Sequence, residues 1–172
     1  MALALLGCAT AVLGESSYNQ GVDAYRAENY ADARLHWSRS VEEGELYALN
    51  NLGYLLYYGL GGEADPGRAV SLWRKGALGG HSEAQWHLGR AFEDGKGVGK
   101  DYVRAYAWYR CALASAQAAA KHDPEVENEI ARDVQKSIVV LVDKLSPQQF
   151  ERGARLADEY VKKYVKPKGE RK

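Results

Sequence analysis

Residues 48–74 read ALNNLGYLLYYGLGGEADPGRAVSLWR, and residues 84–110 read AQWHLGRAFEDGKGVGKDYVRAYAWYR. Superimposed at an offset of 36 residues, the two stretches share eight identities in order between Ala48 and Ala69. Ala48 falls on Ala84, Leu52 on Leu88, Gly53 on Gly89, Gly59 on Gly95, Gly61 on Gly97, Asp65 on Asp101, Arg68 on Arg104 and Ala69 on Ala105, while Trp73 meets Tyr109. Ala48, Leu52, Gly53 and Leu56 lie at i, i+4, i+5 and i+8, one stripe of an α-helix. A glycine in that stripe costs about 1 kcal/mol of helix propensity, so its presence points to a neighbouring helix approaching closely. Gly59 and Gly61 are expected to end the helix. Asp65 before Pro66 is an N-cap with proline at the first helical position, and Asp101 takes the same place in the next copy. Ala69, Leu72, Trp73 and Ala77 form the stripe of a second helix. Each unit is therefore helix, glycine-rich turn, helix, and only stacking buries both stripes.

The pattern A-x-x-x-L-G-x-x-(L/F)-x-x-G-x-G followed by D-x-x-R-A-x-x-(L/W)-(W/Y), carried by residues 48–77 and 84–113, resembles the Sel-one-like repeat, an offshoot of the tetratricopeptide repeats. The first copy departs from it by placing Gly62 where the second has Val98, so its turn is expected to pack less well. Gly21, Tyr30, Ala33, Trp37 and Val41 resemble the plainer tetratricopeptide pattern: Gly21 to Ala33 spans 12 residues, against 16 from Gly53 to Ala69. After Ala120 the period stops. Asp123-Pro124 opens a helix with the stripe Val126, Ile130, Val134, Ile138, Leu141, Val142 and Leu145. Ser146-Pro147-Gln148-Gln149 is a capping box before a last helix with Phe150, Ala154, Ala157, Val161 and Tyr164 on one face. The expected fold is all-α: a right-handed α/α solenoid of about three helix-turn-helix repeats (units 18–44, 45–80 and 81–116) closed by a capping helix pair at 124–164. Residues 1–17 are read as a signal remnant and linker, and 165–172 as a basic tail.

The chain has 172 residues, 46% apolar and 27% charged, with 23 basic and 23 acidic side chains, which is ordinary for a folded globular domain. Zero net charge argues against a general nucleic-acid binder. Two cysteines, Cys8 and Cys111, make no disulfide framework. Leu5-Leu6-Gly7-Cys8 resembles the bacterial lipobox, which implies a lipid on Cys8, a mature chain starting there, and, with Ala9 next, an outer-membrane lipoprotein facing the periplasm. No Lys or Arg precedes Cys8, a departure from the basic start of such signals. The alternative location is the cytoplasm.

Catalytic and metal chemistry find little support. His36, His81, His87 and His122 show no zinc-binding spacing, and solvated or capping roles are expected for them. Cys111 lacks a base on its helix face and reads as a structural thiol. The run Gly95 to Asp101 lacks the residues of a phosphate-binding loop. Glu93 and Asp94 are too few for calcium. No metal and no cofactor are expected, and an enzyme acting on cell-wall material is the remote alternative.

Twelve Tyr and four Trp against two Phe is an unusual balance, since rings with a polar handle suit binding surfaces better than dry cores. By tetratricopeptide analogy the first helices line a concave face. That face is expected to carry Tyr18, Val22, Tyr25 and Arg26 in the first unit; Tyr47, Asn50, Tyr54, Tyr57 and Tyr58 in the second; and Glu83, Trp86, Arg90 and Glu93 in the third. Tyr58 and Trp86 are the two most open to being drawn into the core. Aromatic and arginine side chains are the usual anchors of protein interfaces. The expected function is a non-enzymatic module, monomeric, that holds a protein or peptide partner in this groove. It would be an envelope-anchored adaptor touching membrane only through the lipid on Cys8. A cytoplasmic scaffold of the same fold is the other reading. Lys162, Lys163, Lys166, Lys168, Arg171 and Lys172 cluster at the end and are expected to be solvated.

Overall fold

The computed structural model describes residues 15–120 and 123–165; Cys8, His122 and the lysines and arginine beyond Val165 lie outside them. Among the described residues the chain forms eight α-helices and no strand: α1 (Ser17–Arg26), α2 (Tyr30–Glu42), α3 (Leu46–Tyr58), α4 (Pro66–Leu78), α5 (Ser82–Asp94), α6 (Tyr102–Ala119), α7 (Pro124–Val142) and α8 (Pro147–Tyr164). The helices pair α1 with α2, α3 with α4 and α5 with α6, and each pair packs on the next, giving an all-α solenoid. Polar caps set the starts. Asp65 Oδ1 accepts from the Arg68 N–H at 2.9 Å and Asp101 Oδ1 from the Arg104 N–H at 3.0 Å. Ser146 and Gln149 form the reciprocal capping box that their spacing announced.

One contact recurs through the stack. Gly21, Gly53 and Gly89 each lie beneath an aromatic ring of the partner helix: Trp37, Trp73 and Tyr109 respectively. The indole Nε1–H of Trp37 donates to the Tyr18 carbonyl and that of Trp73 to the Asn50 carbonyl, both at 3.2 Å and both three residues before the glycine. In the third unit tyrosine replaces tryptophan, and its Oη–H instead donates to Glu93 Oε2 at 2.7 Å. A Cβ on Gly53 would stand 2.5 Å from the Trp73 indole nitrogen, and one on Gly89 would stand 2.6 Å from the Tyr109 ring. Alanine raises helix propensity by about 1 kcal/mol, whereas overpacking a rigid buried ring costs about 1–3 kcal/mol. Gly53→Ala is therefore expected to lose up to about 2 kcal/mol net in urea unfolding. In a Trp73→Leu background, where the indole is gone, the same change should be neutral or stabilising.

The second turn glycine does not end a helix, contrary to expectation. Gly59 and Gly95 do, as left-handed C-caps. Gly61 and Gly97, also left-handed, sit against the previous unit instead, on the backbone of Tyr30 and of Pro66 respectively. The turn is closed in the same way in both copies, with Asp65 N–H donating to the Leu56 carbonyl and Asp101 N–H to the Phe92 carbonyl, each at 2.8 Å. Gly62 does not leave a loose turn. Arg34 occupies the space, and its Nη2 donates to the Leu55 carbonyl at 3.1 Å and the Glu63 carbonyl at 2.9 Å.

The last two helices cover the end of the stack, as expected of capping helices. They do not pair with each other as α1 and α2 do; both pack on α6, and α7 also reaches α5. As a consequence α6 is buried around most of its circumference, through Val103, Ala105, Tyr106, Ala107, Trp108, Tyr109, Cys111 and Ala112, with Arg104, Arg110 and Gln117 left exposed. On α8 the working face is Phe150, Gly153, Ala157, Tyr160 and Tyr164. Tyr160 and Tyr164 lie on the Trp108 ring, with centroids 4.5 and 5.5 Å away. Val161, expected there, is displaced by Tyr160 because the stacking surface on α6 is an indole. No helix among the described residues is long and apolar enough to cross a membrane.

Candidate functional site

The first helices of the three units, α1, α3 and α5, line a groove of 640 Å³. Its walls are Val22, Tyr25, Arg26, Trp37, Asn50, Asn51, Tyr54, Tyr58, Glu83, Trp86, His87 and Arg90. The helical repeat aligns these side chains in columns, so that Val22, Tyr54 and Arg90 occupy one row across the three helices. Tyr25 and Tyr58 are 36% and 42% exposed. Tyr54 packs between the Tyr58 ring at 4.8 Å and the His87 ring at 5.9 Å. Trp86 is held by α7, its Nε1–H donating to Ser137 Oγ at 3.0 Å, which fixes one wall. A second hollow of 680 Å³, between α6 and α7, is lined by Leu113, Pro124 and polar or charged side chains such as Gln117, Asn128 and Arg132, with no aromatic ring among the described residues of its lining.

Of the residues expected on the concave face, the structure brings together Val22, Tyr25, Arg26, Asn50, Tyr54, Tyr58, Glu83, Trp86 and Arg90. Asn50 is almost fully buried at the groove's edge, and its Nδ2 donates to Glu83 Oε2 at 2.9 Å. Tyr18 and Tyr47 lie apart, in a smaller cavity of 210 Å³ with His81, Ser82, Val126 and Ile130. Tyr57 is not on the groove. It is 3% exposed, with its Oη–H donating to Asp94 Oδ2 at 3.2 Å. Lys96 seals it from outside: its Nζ lies 4.4 Å from the Tyr57 ring centre and donates to the Tyr57 carbonyl at 2.8 Å. Burial and then the Asp94 carboxylate push the Tyr57 phenol above its ordinary pKa. Tyr58, expected to be the easier loss, stays in the groove. Glu93 also lies elsewhere, accepting from Tyr109 and, at 2.7 Å, from Lys144 Nζ.

Trp37, Asn51 and His87 are groove residues that the sequence did not single out. His87 is neither solvated nor a cap. It is buried, stacked on Trp73 at 4.8 Å and Trp86 at 5.2 Å with interplanar angles of 20° and 22°. Burial, then the charges of Arg90 and His81, hold its pKa down at about 3. The clue was its column, since His87 falls 36 residues after Asn51. His81 does cap, its Nδ1 accepting from the Ala84 N–H at 3.2 Å.

Reactive groups are poorly placed for chemistry. Cys111 is buried, and burial pushes its thiol up to about 12, so it carries no thiolate at neutral pH. Glu83 is raised above the usual carboxylate range by burial and then by Glu127. Among the described residues no three His, Cys, Asp or Glu side chains gather as a metal site.

The Sel1 repeat family model matches residues 46–81 and 82–115, the two units with the paired glycine turns. These are Sel1 repeats. The same Sel1 architecture appears in a solved protective antigen present in uropathogenic Escherichia coli strains, which displays an SLR fold. That structure is 28% identical with a TM-score of 0.70, over 88% of this chain and 31% of that one. A Sel1 repeat protein from Oxalobacter formigenes aligns at 26% identity and a TM-score of 0.59, over 83% of this chain and 55% of that one. Among curated proteins, the ERAD-associated E3 ubiquitin-protein ligase components HRD3A and HRD3B of Arabidopsis thaliana are each 32% identical over 108 residues, 62% of this chain. The chain spans 16% and 18% of the length of those two relatives.

Proposed function

We propose that the protein is a non-enzymatic interaction module that holds a partner protein or peptide in the groove across α1, α3 and α5. The observation that carries this reading is the set of ring surfaces, Tyr25, Tyr54, Tyr58 and Trp86, set with Arg26 and Arg90 on rigid helices around one concavity. Such side chains give large contact area at low entropic cost, and helices hold them in place before the partner arrives. The Sel1 repeats support the reading by kinship, since the curated relatives are named as components of a larger assembly. Tyr54→Ala/Tyr58→Ala is expected to weaken partner capture by at least about tenfold while leaving the fold intact. Tyr57→Ala should instead act through stability, because that ring is internal. Partner recovery unchanged by the Tyr54/Tyr58 double variant, in a quantitative pull-down, would remove the groove from the account.

The anchored form of this reading places the module on the bacterial envelope as an adaptor lipoprotein. Its support is the lipobox-like string ending at Cys8. Feeding cells a palmitate analogue should label the wild-type protein and leave Cys8→Ser unlabelled. Equal labelling of both would put any lipid elsewhere than on Cys8, and no label in either would leave the same module acting without a lipid, as in the cytoplasmic alternative.

A further inference from the structure

We infer that the groove selects an acidic segment, seating an Asp or Glu side chain on Arg90 between the rings of α3 and α5. This rests on the groove reading and adds the chemistry of the guest. Arg90 takes the place in its column where the other units have Val22 and Tyr54, so it is a departure from an otherwise uncharged row. It is half-buried, yet its guanidinium makes no hydrogen bond or ion pair with any described residue. Arginine's planar fork matches a carboxylate with two parallel hydrogen bonds, and a partly desolvated site strengthens them. The second cation of the groove, Arg26, is exposed and only loosely engaged by Asp23 at 3.8 Å. Among the described residues the one acidic side chain in the lining, Glu83, is already occupied by the Asn50 amide. Glu83 precedes Arg90 by seven residues on α5, about 10 Å along the axis, so the anion does not neutralise the cation. His87 beside them is buried between tryptophan rings and adds no charge at neutral pH. The lining therefore offers two available cations against one committed carboxylate. Charge complementarity then favours an anionic guest with apolar or aromatic neighbours for the tyrosine rings.

The test is selection from a random dodecapeptide phage library on the immobilised full chain, followed by fluorescence anisotropy with the enriched peptide made synthetically. The enriched sequences should carry Asp or Glu next to aromatic or aliphatic residues. Replacing that acid by Asn or Gln should cost at least tenfold in affinity, Arg90→Gln should cost as much, and the two changes together should cost no more than either alone. Enrichment of Lys- and Arg-rich or uncharged peptides would overturn the inference, as would affinity indifferent to Arg90→Gln. If such uncharged peptides still need Tyr54 and Tyr58, the groove stands and only its charge preference falls. Acidic peptides indifferent to Tyr54→Ala/Tyr58→Ala, or no enrichment at all, would bring down both readings. Equal competition by a single-stranded oligonucleotide would show general attraction to polyanions and contradict a seated side-chain carboxylate.

Discussion

Gly97→Ala is expected to destabilise the protein by about 3–4 kcal/mol, more than a glycine in a surface turn ordinarily would. Two costs combine. Gly97 has φ +78°, a left-handed conformation worth about 1–2 kcal/mol against an L side chain. The added Cβ would also fall on the Pro66 carbonyl, which is backbone of the preceding unit. No rotamer change relieves that contact, so the turn must lift off α4. In a solenoid the stability is shared between units and the interfaces joining them, and this substitution acts on an interface. Gly99→Ala, two residues on, is the internal control, because a Cβ there meets nothing within 4 Å and the backbone needs no positive φ. Urea unfolding should separate the two by most of the predicted difference. Equal stability of both variants would mean that the turns do not hold the units together.

The second large effect is a loss of stability in acid, traced to His87. In the unfolded chain this imidazole takes up a proton near its ordinary value of 6.5, but in the folded protein it stays neutral down to about pH 3. Between those values the unfolded state binds one more proton, so each unit of acidification costs the fold about 1.4 kcal/mol. The contribution is complete above pH 6.5, falls by about 2 kcal/mol by pH 5, and continues to decline as pH drops through the folded value. The cause is geometric. The ring is sandwiched by Trp73 and Trp86, and charging it would bring an imidazolium into that sandwich within reach of Arg90. His87→Phe keeps a flat ring and removes the proton site, so the wild type should be steeper than the variant between pH 7 and pH 5 by this amount. The His87 resonance in NMR should show no titration near pH 6.5. A titration there, or parallel acid limbs, would contradict the buried neutral ring.

What the sequence revealed followed from having two copies to compare. The 36-residue offset located both turns, the aspartate caps and the glycines that a neighbouring helix approaches, because each feature appears twice under the same constraint. Where no second copy existed the reading weakened. The helices after Ala120 were legible as helices from their caps and stripes, but their docking on α6 depends on Trp108 and Tyr106. At the 36-residue offset Trp108 falls on Leu72 of the repeat stripe and Tyr106 on Val70, and the repeat carries no information about the helices that come to cover them after the third unit. In the groove, Tyr54, Tyr57 and Tyr58 share one side of α3 by spacing alone. Which of the last two turns inward is decided by Asp94 and Lys96 of the following unit, and helical periodicity carries no information about them. His87 escaped for a related reason: a histidine among exposed-looking residues reads as solvated until the two tryptophans that enclose it are brought together from different helices.

The groove as the place where a partner is held is tested most directly by site-specific photocrosslinking in cells. A benzoylphenylalanine at Tyr54 or Tyr58 should give a discrete adduct with a partner, competed by excess groove-binding peptide, and the same probe at Leu35, exposed on α2 and away from the groove, should give none. Adducts of equal yield from Leu35, or an empty lane from both tyrosine positions, would contradict the account.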